Sequence, residues 1–238
     1  MSDAAPSWQV LGHGPLLPLA DNLRWVSGDI PRMSLKRCMT VARLGDGRLV
    51  IHNAIALDEA HQLELERFGT PAFLVVPSAI HRMDAPAYKA RYPDLVVVAP
   101  RGARKAVEER LPVDLVYDEF ASLPEVQLEP LAGVANAEGI LLVHSADGTT
   151  VVLNDVVMNM DRKKDVLGWL FTTAMGSAPG PRVSRLSRML LVKDRGALRA
   201  DLLRLAELPN LTRLIVAHEK VASGPEAAAA LKLAATFL

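Results

Sequence analysis

At 238 residues, half of them hydrophobic, the chain can bury a sizeable core as one domain or as two tightly packed halves. Lys plus Arg and Asp plus Glu number 27 each, so the formal net charge is zero, and neither a nucleic-acid footprint nor a polybasic membrane surface is expected. Cys38 stands alone, which rules out an intrachain disulfide and suits a reducing compartment.

The first six residues lack the basic and apolar regions of a signal peptide, and no apolar run approaches the roughly 18–20 residues that span a bilayer. The expectation is a cytoplasmic protein with no membrane partner. Residues 1–20 read as an arm, with Pro6, Pro15 and Pro18 among scattered apolar residues and no helix period. Such arms often pack on a neighbouring subunit, so a homodimer is expected. Residues 21–238 read as a single domain.

Met39 to Leu44 and Arg48 to Ile51 flank Gly45-Asp46-Gly47, a hairpin signal because Asp-Gly tolerates positive φ. Asp58 to Phe68 has helical spacing and is closed by Gly69. Pro71 to Val76 and Leu95 to Val98 read as buried strands. Asp84 to Tyr92 and Arg101 to Leu111 read as helices. That alternation predicts parallel strands joined by right-handed crossovers.

The second half opens with strands at Val126 to Leu131, Gly139 to Val143 and Thr149 to Asp155. In Met158 to Pro181 the apolar residues, Trp169 and Phe171 among them, suit a helix packed on the core followed by a turn; the other reading is a lid over a cleft. Helices follow at Val183 to Leu191 and Arg195 to Leu205, then a strand at Leu211 to Ala217 and an Ala-rich helix at Pro225 to Phe237. Each half thus runs through strands and ends on helices, which predicts a four-layer αβ/βα sandwich with a site where strand ends converge.

Three apolar runs lead to residues able to bind metal. Phe73 to Val76 leads to His81, Val151 to Asn154 leads to Asp155, and Leu214 to Ala217 leads to His218. Two His and a carboxylate with an open position suit Zn or Fe(II). The same three residues could instead pair with one another and bind nothing.

With the halves laid out this way, the chain resembles the metallo-β-lactamase superfamily over about residues 20–236. Within it the likeness is to a branch of unassigned function, with a degenerate metal-binding motif, found in bacteria and plants. The resemblance rests on Leu49 to Asn53, Val76 to His81, Tyr92 to Pro100, Leu153 to Val157 and Leu214 to His218. It implies that Asp155 matches the Asp that bridges two metals and that His218 matches the last His ligand. His81 falls on the final His of the H-x-H-x-D-H signature, whose other positions fall on Val76, Ser78 and Ile80. The family's middle His belongs near Gly133 to Gly139, where only Asn136 and Glu138 offer polar side chains.

The resemblance therefore implies at most one divalent metal (Zn, Fe or Mn) on His81, Asp155 and His218. Two functions are expected from it: a metal-dependent hydrolase of esters, amides or phosphoesters, or a non-catalytic descendant that binds a small molecule or a protein in the same cleft. His52, Ser78, Asn154 and Glu219 are candidates to line that cleft, although His52 at a strand end also reads as a surface residue. Glu138 and Glu219 are candidate general bases. Arg162-Lys163-Lys164 reads as a solvated charge run, or as an anion holder if its loop folds over the cleft. His13, His61 and His144 carry no functional expectation, and Cys38 reads as buried and inert.

Overall fold

The computed structural model describes residues 7–238; the signal-peptide reading of residues 1–6, and Pro6 of the arm, lie outside them. Seven strands follow one another in the first half: β1 (Leu17–Ala20), β2 (Leu23–Ile30), β3 (Met33–Arg43), β4 (Arg48–His52), β5 (Thr70–Val75), β6 (Val96–Ala99) and β7 (Leu115–Val116). They form one sheet in sequence order. β1 to β4 are antiparallel, and β4 to β7 are parallel. The parallel crossovers are α1 (Glu59–Phe68), α2 (Ala85–Arg91) and α3 (Arg104–Glu108), the last shorter than the predicted 101–111.

In the second half come β8 (Val126–Pro130), β9 (Gly139–Ser145), β10 (Gly148–Val152), β11 (Met158–Met160), β12 (Gly180–Arg182), β13 (Leu211–Ile215) and β14 (Ala222–Ser223). β11 and β12 pair as a separate ribbon, and the others form a sheet in the order β14-β13-β10-β9-β8. The helices of this half are α4 (Val166–Trp169), α5 (Arg185–Leu190), α6 (Arg195–Ala206) and α7 (Pro225–Ala235). α4 continues as a π-helical turn through Ala174.

Alternation along the strands fixes the layers. Leu49 and Ile51, Leu74, and Val97 and Ala99 face α1, α2 and α3, where they meet Leu65, Tyr88 and Val107. Val50, Val75 and Val98 point the other way and meet Leu141, Val143, Val152 and Ile215 of the second sheet. Ile140, Leu142, Val151 and Leu214 face Leu198, Leu202 and Leu231 of α6 and α7. Both faces of both sheets are thus covered, which is why these strands read as continuous apolar runs. The architecture is the predicted αβ/βα sandwich.

The sequence did not announce β2, an eight-residue strand holding Ser27, Gly28 and Asp29. The arm residues lie against their own chain: Trp8 Nε1 donates to Leu57 O at 2.9 Å, and its ring sits 4.8 Å from that of Tyr88. Among the described residues, no helix is long and apolar enough to cross a membrane.

Met158 to Pro181 is not a helix packed on the core. It carries α4 and the π-helical turn as a flap, with Val166 82% and Trp169 52% exposed. Asp165 caps α4 by accepting from Gly168 N at 2.9 Å and also pairs with Ser34 of β3, so the flap is tied to the first sheet.

Candidate metal centre

His81, Asp155 and His218 meet at the edge where the two sheets come together. Each sits just beyond the C-terminal end of a strand, the place where open α/β sheets present their ligands. Ser78 Oγ accepts from Ile80 N at 3.4 Å and His81 N at 3.3 Å, turning the loop after β5 so that His81 points back to the sheet edge. Asn154 Nδ2 donates to Ser78 Oγ at 3.2 Å and joins that loop to the one after β10. Glu138 accepts from Asp155 N at 3.2 Å and Val156 N at 3.0 Å, while Ser187 Oγ donates to Asp155 O at 2.7 Å. The Asp155 backbone is therefore held from both sides. His218 is placed by β13, whose extension accepts at Ala217 O from Cys38 N at 2.8 Å.

Asp155 Oδ1 lies 3.0 Å from His81 Nε2 and 3.2 Å from His218 Nε2. The outer nitrogens of both rings are occupied. His81 Nδ1 faces Asn53 Oδ1 at 3.1 Å, and that amide is oriented by its own Nδ2 donating to Cys38 O at 2.7 Å. His218 Nδ1 faces Lys36 O at 2.8 Å. An amide oxygen and a carbonyl can only accept, so both rings carry their proton on Nδ1, an assignment made from these partners. Both Nε2 atoms are then turned inward onto one carboxylate, the arrangement in which an outer acceptor orients a metal-binding imidazole.

A metal fits this set. Ligand atoms about 2.0–2.2 Å from one ion lie ~3.2–3.6 Å from each other in a tetrahedron; the two His–Asp separations are close to this, and all three ligand atoms lie within 4.8 Å of one another. Asp155 Oδ2 is buried and has no hydrogen-bond partner, as expected of a carboxylate that lacks its counterion. Without an ion, burial alone would raise the Asp155 carboxyl. The charges and hydrogen bonds of the two imidazoles reverse that and hold it far below the usual carboxylate range. For His218, burial favours the neutral ring, but the hydrogen bond and charge of Asp155 outweigh it and raise the imidazole.

The centre opens into a cavity of about 380 Å³ whose remaining wall is mainly apolar, with Leu35, Met158, Phe171 and Leu190 prominent. Of the residues expected to line the cleft, Ser78 does so, whereas His52, Asn154 and Glu219 lie behind its wall. His52 is no surface residue: it is 2% exposed and paired on both sides, with Thr40 of β3 and Val75 of β5. Its burial, with the charge of His81 beside it, lowers its pKa to about 3. Glu219, a candidate base, ion-pairs with Lys163 at 2.5 Å. Glu138 does reach the wall, in the stretch where the missing His belongs, but its oxygens are occupied by the Asp155–Val156 backbone. Burial pushes its carboxyl up and Asp155 adds to this, against those N–H donors. Neither glutamate is placed as a free base.

Arg162-Lys163-Lys164 does not fold over this cleft: none of the three lines it. Cys38 is buried, which pushes its thiol up to about 12 and leaves it inert. Neither Asn53 nor the Lys36 carbonyl stands out in the sequence as an orienter. It also left unremarked a second cluster, His13, Asp58 and His61. That cluster does not fit a metal. His13 Nε2 accepts from Asp58 N at 2.9 Å, so its lone pair is in use, and Asp58 caps α1 through His61 N at 2.9 Å.

No protein-family model matches the chain, and no curated protein does. Solved structures match along nearly its whole length. The metallo-β-lactamase DIM-1, from a crystal exposed to ceftazidime, superposes with a TM-score of 0.62 at 11% identity, over 96% of this chain and 97% of that one. A second DIM-1 structure gives 0.61 at 10% identity, over 94% and 99%. A metallo-β-lactamase from Pontibacter korlensis gives 0.59 at 9% identity, over 93% and 98%. Identity this low speaks for the architecture and not for a shared reaction. The chain is a protein of the metallo-β-lactamase fold.

Proposed function

We propose that His81, Asp155 and His218 hold a single divalent metal, Zn, Fe or Mn, and that the centre hydrolyses an ester, amide or phosphoester whose body is apolar. The observation that carries this reading is the shared aim of the two Nε2 atoms, each ring fixed from behind by an acceptor, onto a carboxylate with an orphaned second oxygen. A divalent ion there supplies Lewis acidity that makes water a competent nucleophile near neutral pH.

The protein's own groups do the rest. Asn53 and the Lys36 carbonyl hold the proton of each imidazole at Nδ1 and keep Nε2 available. Glu138 and Ser187 fix the Asp155 loop, so the carboxylate does not swing away. Leu35, Met158, Phe171 and Leu190 exclude water and take up the apolar part of the substrate. The proposed enzyme has one set of ligands, since Val76, Ser78 and Ile80 stand where the resemblance would require three more.

A second reading is favoured by the state of the other polar groups on the wall. Arg37 pairs with Asp84 at 2.6 Å, Asn53 with His81 and Cys38, and Glu138 with the backbone. A wall so furnished also suits a binding module that holds an apolar ligand without turning it over.

Metal content decides between them. Protein purified without chelator or affinity tag is expected to carry near one equivalent of metal by plasma mass spectrometry, lost in His81→Ala and His218→Ala. Metal far below stoichiometry, and no gain on reconstitution, would leave only the binding module. A hydrolase screen on the loaded protein then tests the reaction.

A further inference from the structure

Arg162 faces a second cavity, behind the flap, in company with Arg182, Arg185 and Arg188. This cavity measures about 270 Å³, and its wall also includes Thr173, Gly176 and Phe237. It contains no carboxylate. Among the described residues, Lys163 is the one basic residue between 162 and 188 that forms an ion pair, with Glu219. In a chain whose acidic and basic residues balance, four guanidiniums have been gathered around one hollow without a counter-charge. Arg182 and Arg188 are half-buried and Arg162 and Arg185 exposed, and like charges gathered at such a site repel unless something anionic joins them.

The side chains are arranged rather than splayed. Arg182 Nε donates to Pro179 O at 3.1 Å while its guanidinium stacks 4.7 Å from the Phe237 ring. Arg188 Nη1 donates to Phe237 O at 3.0 Å. The stem of Arg185 lies over Gly176, where an added Cβ would sit 3.3 Å from its Cγ, and Gly176 has a φ of 67° that disfavours any side chain. Each of these contacts leaves guanidinium N–H groups free to point into the hollow. Burial, then Arg162 and Arg185, lower the pKa of Arg182. All four cations are arginine, whose planar fork matches the oxygens of a phosphate in pairs.

We propose that this arginine cavity binds a phosphate group, presented by a soluble phosphoester or by a lipid headgroup. The site is separate from the metal centre but shares its walls. On α5, Leu186, Ser187 and Leu190 face the metal cavity and Arg185 and Arg188 face this one; on the flap, Phe171 faces the first and Thr173 the second. A phosphate held here therefore ties the flap to α5 from behind.

Calorimetric titration of the full chain with inorganic phosphate and pyrophosphate, in a buffer free of other oxyanions, tests the proposal. A saturable site is expected, weakened by on the order of tenfold or more in Arg182→Gln and in Arg185→Gln and unchanged in Arg110→Gln, a solvent-exposed control. Binding must survive in His81→Ala, since its loss there would assign the anion to the metal centre and overturn the proposal. Sedimentation with phosphatidylcholine vesicles containing phosphatidic acid separates the two sources. Vesicle binding lost in Arg182→Gln, without soluble binding, assigns a headgroup; soluble binding without sedimentation assigns a phosphoester. If the unaltered protein binds neither, or the arginine variants bind as well as it does, the proposal fails.

Discussion

At the scale of single residues, the position of an imidazole relative to the packed core decides its chemistry more than its neighbours in sequence do. His81, Asp155 and His218 were legible because each follows an apolar strand run, and a polar residue there sits at a sheet edge. Their orienters were not: the Lys36 contribution is a backbone carbonyl, which every residue possesses, and Asn53 is one of many asparagines that suit a turn at positive φ (58°). His52 shows the limit most clearly, since alternation along β4 tells which face it takes but not that β3 and β5 flank the strand to its last residue. Its pKa of about 3, against 6.5 for a free imidazole, has a consequence for stability. Between those values the unfolded chain takes up a proton that the folded chain refuses, so this contribution is complete above pH 6.5 and is lost as the pH falls toward 3. The slope is up to about 1.4 kcal/mol per pH unit. His218 acts in the opposite sense, because its pKa is raised: its contribution is present below about pH 6.5 and is lost as the pH rises through the folded value. The depressed Asp155 loses its contribution only as the pH falls below about 4. The raised Glu138 works against His52 in this window, because above about pH 4.5 the folded chain keeps a proton there that the unfolded chain gives up. In urea unfolding of metal-free protein from about pH 6.5 to about pH 4.5, the unaltered protein is therefore expected to lose stability relative to His52→Leu as the pH falls. An equal slope in the variant would show that His52 is not held neutral.

At the scale of elements, strands covered on both faces declared themselves and strands defined by their partners did not. β4, β5, β6, β9, β10 and β13 are apolar because each touches two cores. β2 pairs with β3 along its length, yet its Ser27-Gly28-Asp29 stretch carries none of the β-branched or aromatic signal. The flap misled for the opposite reason: Val166, Leu167, Trp169 and Leu170 look like a core stripe, and the structure leaves them exposed. What holds the flap is small and local. Gly168 is buried, and an added Cβ would lie 2.5 Å from Lys163 Cβ, 2.6 Å from Asp165 Oδ1 and 2.8 Å from Ser34 Oγ. Gly168→Ala must displace the cap of α4 and its tie to β3, at a local cost of about 1–2 kcal/mol, the usual worth of a cap. Hydrogen exchange is expected to quicken roughly tenfold across residues 163–175 while protection of β4 to β6 is kept. Unchanged protection of the flap would mean that the Asp165 cap does not hold it.

At the scale of the whole molecule, the decisive layer is the one between the sheets. The order of strands and helices pointed to two halves facing each other, but not to which residues of each strand bury the layer between them. Val50, Val75 and Val98 from one side and Leu141, Val152 and Ile215 from the other bury one another, so neither half has an inner face it could cover alone. The candidate metal centre depends on the same layer, because His81 comes from the first half and Asp155 and His218 from the second. Shared burial of this kind predicts a single unfolding transition. In a Trp169→Phe background, which removes the tryptophan of the flap, Trp8 and Trp25 report on the first half through their emission, and far-ultraviolet ellipticity reports on both halves. The two probes are expected to give one midpoint in urea. Val152→Ala, made in the second sheet, removes two methyl groups from the shared layer and is expected to cost about 2 kcal/mol. Because the layer belongs to both halves, the substitution must lower the tryptophan midpoint as much as the ellipticity midpoint, although no tryptophan of the first half lies in the altered strand. If ellipticity alone moved, or if the unaltered protein unfolded in two steps, the halves would be separately stable and the centre would be assembled by their docking.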